Sequence, residues 1–163
     1  MFIPFVKELA IAMEYHSARL TFSTTGRTDV VDITGPVSKK VQSSGITDGQ
    51  VLVFVPGSTA ALTTIEFEGG VIEDLKEAVS RMAPEGIFYR HDARWGDGNG
   101  YAHVRAALLG PSLTIPIVGG IMVLGTWQQI ILLDFDNRPR ERQVLVQVSG
   151  VKGKSLEPDS SRE

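Results

Sequence analysis

The densest set of chemistry-bearing side chains lies between Tyr89 and His103. It reads Tyr89-Arg90-His91-Asp92, then Arg94-Trp95-Gly96-Asp97-Gly98-Asn99-Gly100-Tyr101, then His103. Two of the chain's three histidines fall here. A neutral imidazole ligates a metal or moves a proton near neutral pH. A loop that runs into a helix can fold His91 and His103 onto one spot, with Asp92, Asp97 or Asn99 adding oxygen ligands. The spacing alone is weak evidence, unlike two histidines one helical turn apart. The ordinary alternative is a pair of structural or solvent-facing histidines.

Other stretches carry lesser signals. Gly57-Ser58-Thr59 follows an apolar run and could turn backbone N–H groups toward an anion. It lacks the Gly-Lys-Ser/Thr ending of a P-loop, and a plain strand-to-strand turn explains it equally. Glu66, Glu68, Glu73 and Asp74 form an acidic run able to hold Mg²⁺ through oxygen. Glu73 and Asp74 also suit the start of a helix. Glu66 sits in the apolar stretch Thr64-Ile65-Glu66-Phe67, where a carboxylate needs a partner. Thr126-Trp127-Gln128 joins two apolar runs; Trp127 could stack a flat ring and Gln128 could hydrogen-bond it, although a core tryptophan is commoner. Arg138, Arg140 and Arg142 alternate, which places them on one side of an extended segment. They could meet phosphate or carboxylates, or blunt a solvated strand edge.

The elements that position these groups follow from periodicity. Alternation from Glu14 to Thr25 predicts a first strand. Thr34 before Pro36 predicts a helix cap, with the helix ending at Gly45. Val51–Val55 and Ala61–Phe67 predict strands. Ile72, Leu75, Ala78, Val79 and Met82 make one helical face that Pro84 ends. Gly86 to Gly100 reads as a loop, and Tyr101 to Leu109 as a helix. Ser112–Ile117, Ile121–Leu124 and Trp127–Asp134 predict further strands. Val144, Val146 and Val148 alternate in a last one. This order lacks a regular βαβ rhythm and predicts an α+β domain.

The totals set outer bounds. The 163 residues suit one domain, with 42% hydrophobic and 21% charged residues. A net charge of −3 gives no general reason to bind nucleic acid. There is no cysteine, which excludes disulfides and thiolate ligands and suits a reducing cytoplasm. Residues 1–12 are too short and too interrupted by charge to span a membrane, and read as an N-terminal extension before a domain at 13–150. Residues 151–163 read as a disordered polar tail.

Taken in order, these motifs resemble the YjbQ-like family, an uncharacterised protein family (UPF0047). The resemblance rests on Val55-Pro56-Gly57-Ser58-Thr59-Ala60-Ala61, Thr64-Ile65-Glu66, Asp74-Leu75, Tyr89-Arg90-His91 and Asp97-Gly98-Asn99-Gly100 with Ala102-His103. Leu113 to Ile117, Leu124-Gly125-Thr126-Trp127-Gln128 and the arginine-rich turn complete it. Many members carry a histidine where this chain has Gly57. The resemblance implies a compact domain with a curved mixed sheet and flanking helices, assembled as a trimer. It implies a secondary thiamine-phosphate synthase activity that joins an aminopyrimidine diphosphate to a thiazole phosphate and releases pyrophosphate. His91, Asn99, His103 and Asp74 are then the catalytic candidates, with His91 and His103 as ligands of a divalent metal, Mg²⁺ or Zn²⁺. Ser58, Thr59, Glu66, Thr126, Trp127, Gln128 and Arg142 are the candidates for holding a small phosphorylated heterocycle. A metal-dependent hydrolase and a non-enzymatic ligand-binding trimer are the alternatives.

Overall fold

The computed structural model describes residues 12–153. The expected N-terminal extension and polar tail fall almost entirely outside them. Three layers make up the described chain. Sheet A holds β1 (Glu14–Thr24), β8 (Arg140–Val151), β3 (Asp48–Phe54), β5 (Ser112–Val118) and β6 (Ile121–Met122), in that order. Sheet B has β7 (Gln129–Asp134) between β2 (Asp29–Asp32) and β4 (Ala60–Ile65). The helices are α1 (Thr34–Ser44), α2 (Gly69–Met82), α3 (Arg90–Trp95) and α4 (Gly100–Leu109).

The main core fills the space between the sheets. Val51, Val53, Ile115, Ile117, Val144, Val146 and Val148 meet Leu62, Ile130 and Leu132, and α1 adds Val37 and Val41. The opposite face of sheet B packs under helices: Ala61, Ile131 and Leu133 meet Val79 of α2 and Tyr101, Ala102 and Ala106 of α4. Strand β7 is therefore buried on both faces, which is why its sequence is continuously apolar where β8 alternates.

The α+β class with flanking helices holds. The expected mixed sheet does not: every strand pairing among the described residues is antiparallel. The helical crossovers explain this. Helix α1 leads from β2 in sheet B to β3 in sheet A, and α2, α3 and α4 lie between β4 in sheet B and β5 in sheet A. A parallel pair needs a crossover that returns to its own sheet, and these change sheets. Thr34 also departs from its expected role. It lies inside the first turn of α1, and Ile33 occupies the cap position. The Thr34 hydroxyl donates to Asp32 at 2.6 Å and accepts from the Ile130 N–H at 2.8 Å, tying α1 to β7.

The apolar run of β7 ends in two buried carboxylates. Asp134 and Asp136 are 0% and 1% exposed. Arg142 on β8 clasps Asp134 through Nε at 2.7 Å and through Nη2, and Thr24 of β1 donates to the same carboxylate. Arg140 Nε donates to Asp136 at 2.7 Å. Removing one partner of such a pair leaves an uncompensated buried charge, at about 3–5 kcal/mol. Asp134→Ala is accordingly expected to lose about 3–5 kcal/mol, read as a lower midpoint in urea unfolding. A loss under about 1 kcal/mol, the scale of an exposed pair, would show that the clasp contributes little.

Candidate functional site

His91 and His103 do meet. Their ring centroids lie 4.4 Å apart at an interplanar angle of 49°. His91 stands on α3 and His103 in the first turn of α4. The short helix α3 was expected to be loop. Its six residues lie between Tyr89 and the left-handed Gly96, whose N–H returns to the Asp92 carbonyl at 2.8 Å. Asp92 then fastens the two helices, accepting the Gly100 N–H at 2.8 Å. Gly100 cannot carry a side chain here, because an added Cβ would fall 2.6 Å from the Tyr89 Cβ.

Oxygen donors converge on His91. Its Nε2 lies 3.3 Å from both carboxylate oxygens of Asp97. The ligand atoms of His91, Asp92 and Asp97 all lie within 4.8 Å of one another. The Asn99 amide, 8% exposed, bridges this group and the buried acids. With its NH2 toward Asp136 Oδ1, at 3.5 Å, its oxygen faces His91 Nε2 and the Asp97 carboxylate. Turned over, the NH2 donates to His91 Nε2 at 3.3 Å and to Asp97 Oδ1 at 3.2 Å. The first orientation brings a ring nitrogen, two carboxylate oxygens and an amide oxygen together. The turned-over amide satisfies these acceptors directly, whereas in the first orientation the facing lone pairs need a shared proton or a cation. A neutral imidazole with carboxylate and amide oxygens is a donor set suited to a divalent ion, so the residues fit a metal.

Two clefts flank the cluster. One, of about 230 Å³, is lined by His103, Gly57, Ser58, Ala60, Ala106, Ala107 and Pro111. The other, of about 440 Å³, takes Asp92 and Gly98 together with Arg27, Glu85, Tyr89, Tyr101 and Asn137. Its Arg27–Thr28 wall is strained, with φ of 55° and 65°, at about 1–3 kcal/mol per residue. The Arg27 N–H to the Asp136 carbonyl, 2.7 Å, and the buried Arg105 Nη1 to the Thr28 hydroxyl, 2.9 Å, hold that conformation.

The remaining candidates divide. Thr59 joins the buried network, its hydroxyl accepting from Arg142 Nη2 at 2.8 Å and donating to Asp136 at 3.3 Å. The arginine alternation therefore serves carboxylates, with Arg140 and Arg142 engaged and Arg138 exposed. Thr126, Trp127 and Gln128 precede the opposite end of β7, about 17 Å from Asp134 at about 3.4 Å per residue. Trp127 is 70% exposed and not in the core. Gln128 folds back on the Gly125 N–H and the Thr64 hydroxyl. Glu66 belongs to this end too, where the next residue's N–H donates to Gln129. It is half-buried and makes no side-chain hydrogen bond or ion pair among the described residues. Asp74 is exposed on α2, beyond the first turn. The neighbouring Glu68 caps that helix, and the N–H groups of Gly70 and Val71 hold its carboxyl below the usual range. One chain thus brings together His91, Asp97, Asn99 and His103, with Ser58, Thr59 and Arg142 beside them, and leaves the Trp127 group apart. Asp134, Asp136 and Arg105 were not singled out from the sequence. The apolar run closing on Asp134-Phe135-Asp136 was the available signal for the two acids.

A two-sheet α+β domain with a histidine–carboxylate–amide cluster at the mouth of α4 defines the class. Residues 18–151 match the model of the UPF0047, YjbQ-like family, and the chain belongs to that family. A UPF0047 protein of Archaeoglobus fulgidus is 43% identical over 127 residues, covering 78% of this chain and 96% of its own. The UPF0047 protein YugU of Bacillus subtilis is 33% identical over 132 residues, covering 80% of this chain and 97% of its own. A crystal structure of a YbjQ-like protein of unknown function from Sulfolobus solfataricus superimposes with a TM-score of 0.81 at 34% identity, covering 85% of this chain and 99% of that one. Among the described residues no helix is long and apolar enough to cross a membrane.

Asp136 gives the site a pH signature. Burial pushes its carboxyl up, but the Arg140 hydrogen bond, the Asn137 N–H, the Arg140 charge and Asn99 outweigh burial, so it ionises below the ordinary 3.8. A lowered folded-state value stabilises the fold fully above the unfolded value, and that stability is lost as pH falls through the folded one. Asp136→Asn is expected to lower the melting temperature at pH 7. The gap to the unmodified chain should close as pH drops below about 4. A gap constant from pH 7 to 3 would remove Asp136 ionisation as the cause.

Proposed function

We propose that the cluster is a divalent-cation site serving group transfer on a small phosphorylated heterocycle. The observation that supports this reading is the convergence of His91 with the Asp92 and Asp97 carboxylates, with the Asn99 side chain against them and His103 alongside. His91, Asp97 and Asn99 are the ligands, with Asp92 close enough to join them. When bound, the cation supplies positive charge to a departing diphosphate.

The finer reading follows the resemblance: an aminopyrimidine diphosphate is joined to a thiazole phosphate. The bond from the pyrimidine's methylene carbon to the diphosphate oxygen breaks, and pyrophosphate leaves with the electron pair. The thiazole nitrogen lone pair forms the new carbon–nitrogen bond, and no proton need move. His103 and the flanking clefts hold the substrates and keep water from the cation-like carbon. Trp127 lies too far away to serve its own chain's cluster. In the proposed homotrimer, a neighbouring copy is the source of an aromatic wall.

The test is calorimetric titration with Mn²⁺, Zn²⁺ and Mg²⁺, followed by a synthase assay. One site per chain is expected, with affinity falling tenfold or more in His91→Ala and in Asp97→Asn, on the scale set for losing a supporting metal contact. Pyrophosphate release should depend on the same ion and on Asn99. Metal binding with turnover of other phosphate esters but no heterocycle transfer would favour the hydrolase reading instead. Binding unaffected by either substitution would end the cation proposal.

A further inference from the structure

Arg142 has donors that the buried network does not use. Its Nε and Nη2 are committed to Asp134 and Thr59. Its Nη1 makes no hydrogen bond among the described residues. The side chain is 10% exposed and cannot swing, because the bidentate clasp fixes the guanidinium plane. Nη1 faces Gly57: a Cβ built there would fall 3.4 Å from it, and φ at Gly57 is +141°. Glycine therefore leaves the outward edge of the guanidinium uncovered. The N–H groups of Gly57, Ser58 and Thr59 also donate to nothing among the described residues. Ser58 is exposed and shares the cleft of about 230 Å³ with His103.

We propose that Arg142 Nη1, the Gly57–Ser58–Thr59 turn and His103 form a seat for the phosphoryl group of a small-molecule substrate. Successive backbone N–H groups with a fixed guanidinium edge offer several donors to one tetrahedral group. Asp134 neutralises much of the arginine's charge, so recognition relies on directed donors held in place before binding. The alanine walls, Ala60, Ala106 and Ala107, leave room beside the seat for the rest of a small molecule. The proposal rests on the preceding reading in one respect: the reaction centre lies at the His91–His103 pair. Phosphoryl binding itself requires no cation.

The test is calorimetry of the full chain with pyrophosphate, inorganic phosphate and acetate, in excess chelator. Pyrophosphate and phosphate should bind and acetate should not. Ser58→Asp should abolish binding by placing a carboxylate at the seat, and Ser58→Ala should weaken it severalfold. Gly57→Ala should weaken it by crowding Nη1, and thermal melts would separate this from unfolding. Glu77→Gln, on the exposed face of α2, should leave chelator-resistant binding within twofold. Undiminished binding in Ser58→Asp, equal binding of acetate, or no binding of either phosphate by the unmodified chain would overturn the seat. None of these results bears on the metal titration, so the two proposals fail separately.

Discussion

Two carboxylates buried at the end of a strand impose the main constraint on this fold. Asp134 and Asp136 are almost wholly excluded from water. An ionised carboxylate in that position is tolerable only when matched by charge and by hydrogen bonds. The matching groups come from three strands or their ends, Thr24 on β1, Thr59 before β4, and Arg140 and Arg142 on β8, and they meet the acids at the end of β7. Satisfying the acids thus fixes sheet A against sheet B at one edge. The register of β1 on β8 is part of the same solution, since Thr24 pairs with Arg140 and Phe22 with Arg142.

This constraint reaches the surface in two directions. Asp136 accepts from the Asn137 N–H at 2.8 Å, while the Asn137 side chain donates to the Asp97 carbonyl at 2.7 Å. The loop that carries Asp97 is therefore anchored to the buried pair. Arg142 carries the effect the other way, presenting one guanidinium edge at Gly57. A rigid interior and an accessible set of donors are thereby built from the same side chains.

The strands other than β2 and all three of the longer helices were legible because their signals are local. Alternation in β1 and β8, the apolar run of β7 and the stripe of α2 each state which faces are covered. Helix α3 was not legible, since six residues flanked by glycine, asparagine and aspartate carry too few turns for a periodic stripe. Sheet direction was hidden for another reason: the helical crossovers switch sheets, and that depends on packing between distant segments. The meeting of His91 with His103 could be anticipated from a loop running into a helix. The separation of Trp127 from them could not, because it depends on which end of β7 faces the α3–α4 corner. Burial of Asp134 had a local signal in the apolar run that leads into it, but a terminal aspartate more often marks a turn.

The Asn99 amide connects the buried acids to the open cluster, and both compete for its NH2 group. Asp136 remains ionised well below neutral pH because its hydrogen bonds and Arg140 outweigh burial. An ionised carboxylate accepts but cannot donate. The amide NH2 toward Asp136 is then favourable, whereas the amide oxygen there would set two acceptors against each other at 3.5 Å. Against that single contact, the turned-over amide donates to His91 Nε2 at 3.3 Å and to the Asp97 oxygens at 3.2 and 3.3 Å, so the outward orientation of the oxygen is favoured only when a cation occupies the cluster. With the oxygen outward the cluster holds an excess of lone pairs, which a divalent cation relieves. The buried charge and the open cluster thus compete for one amide, and a divalent cation at the cluster would decide the contest by drawing the oxygen outward.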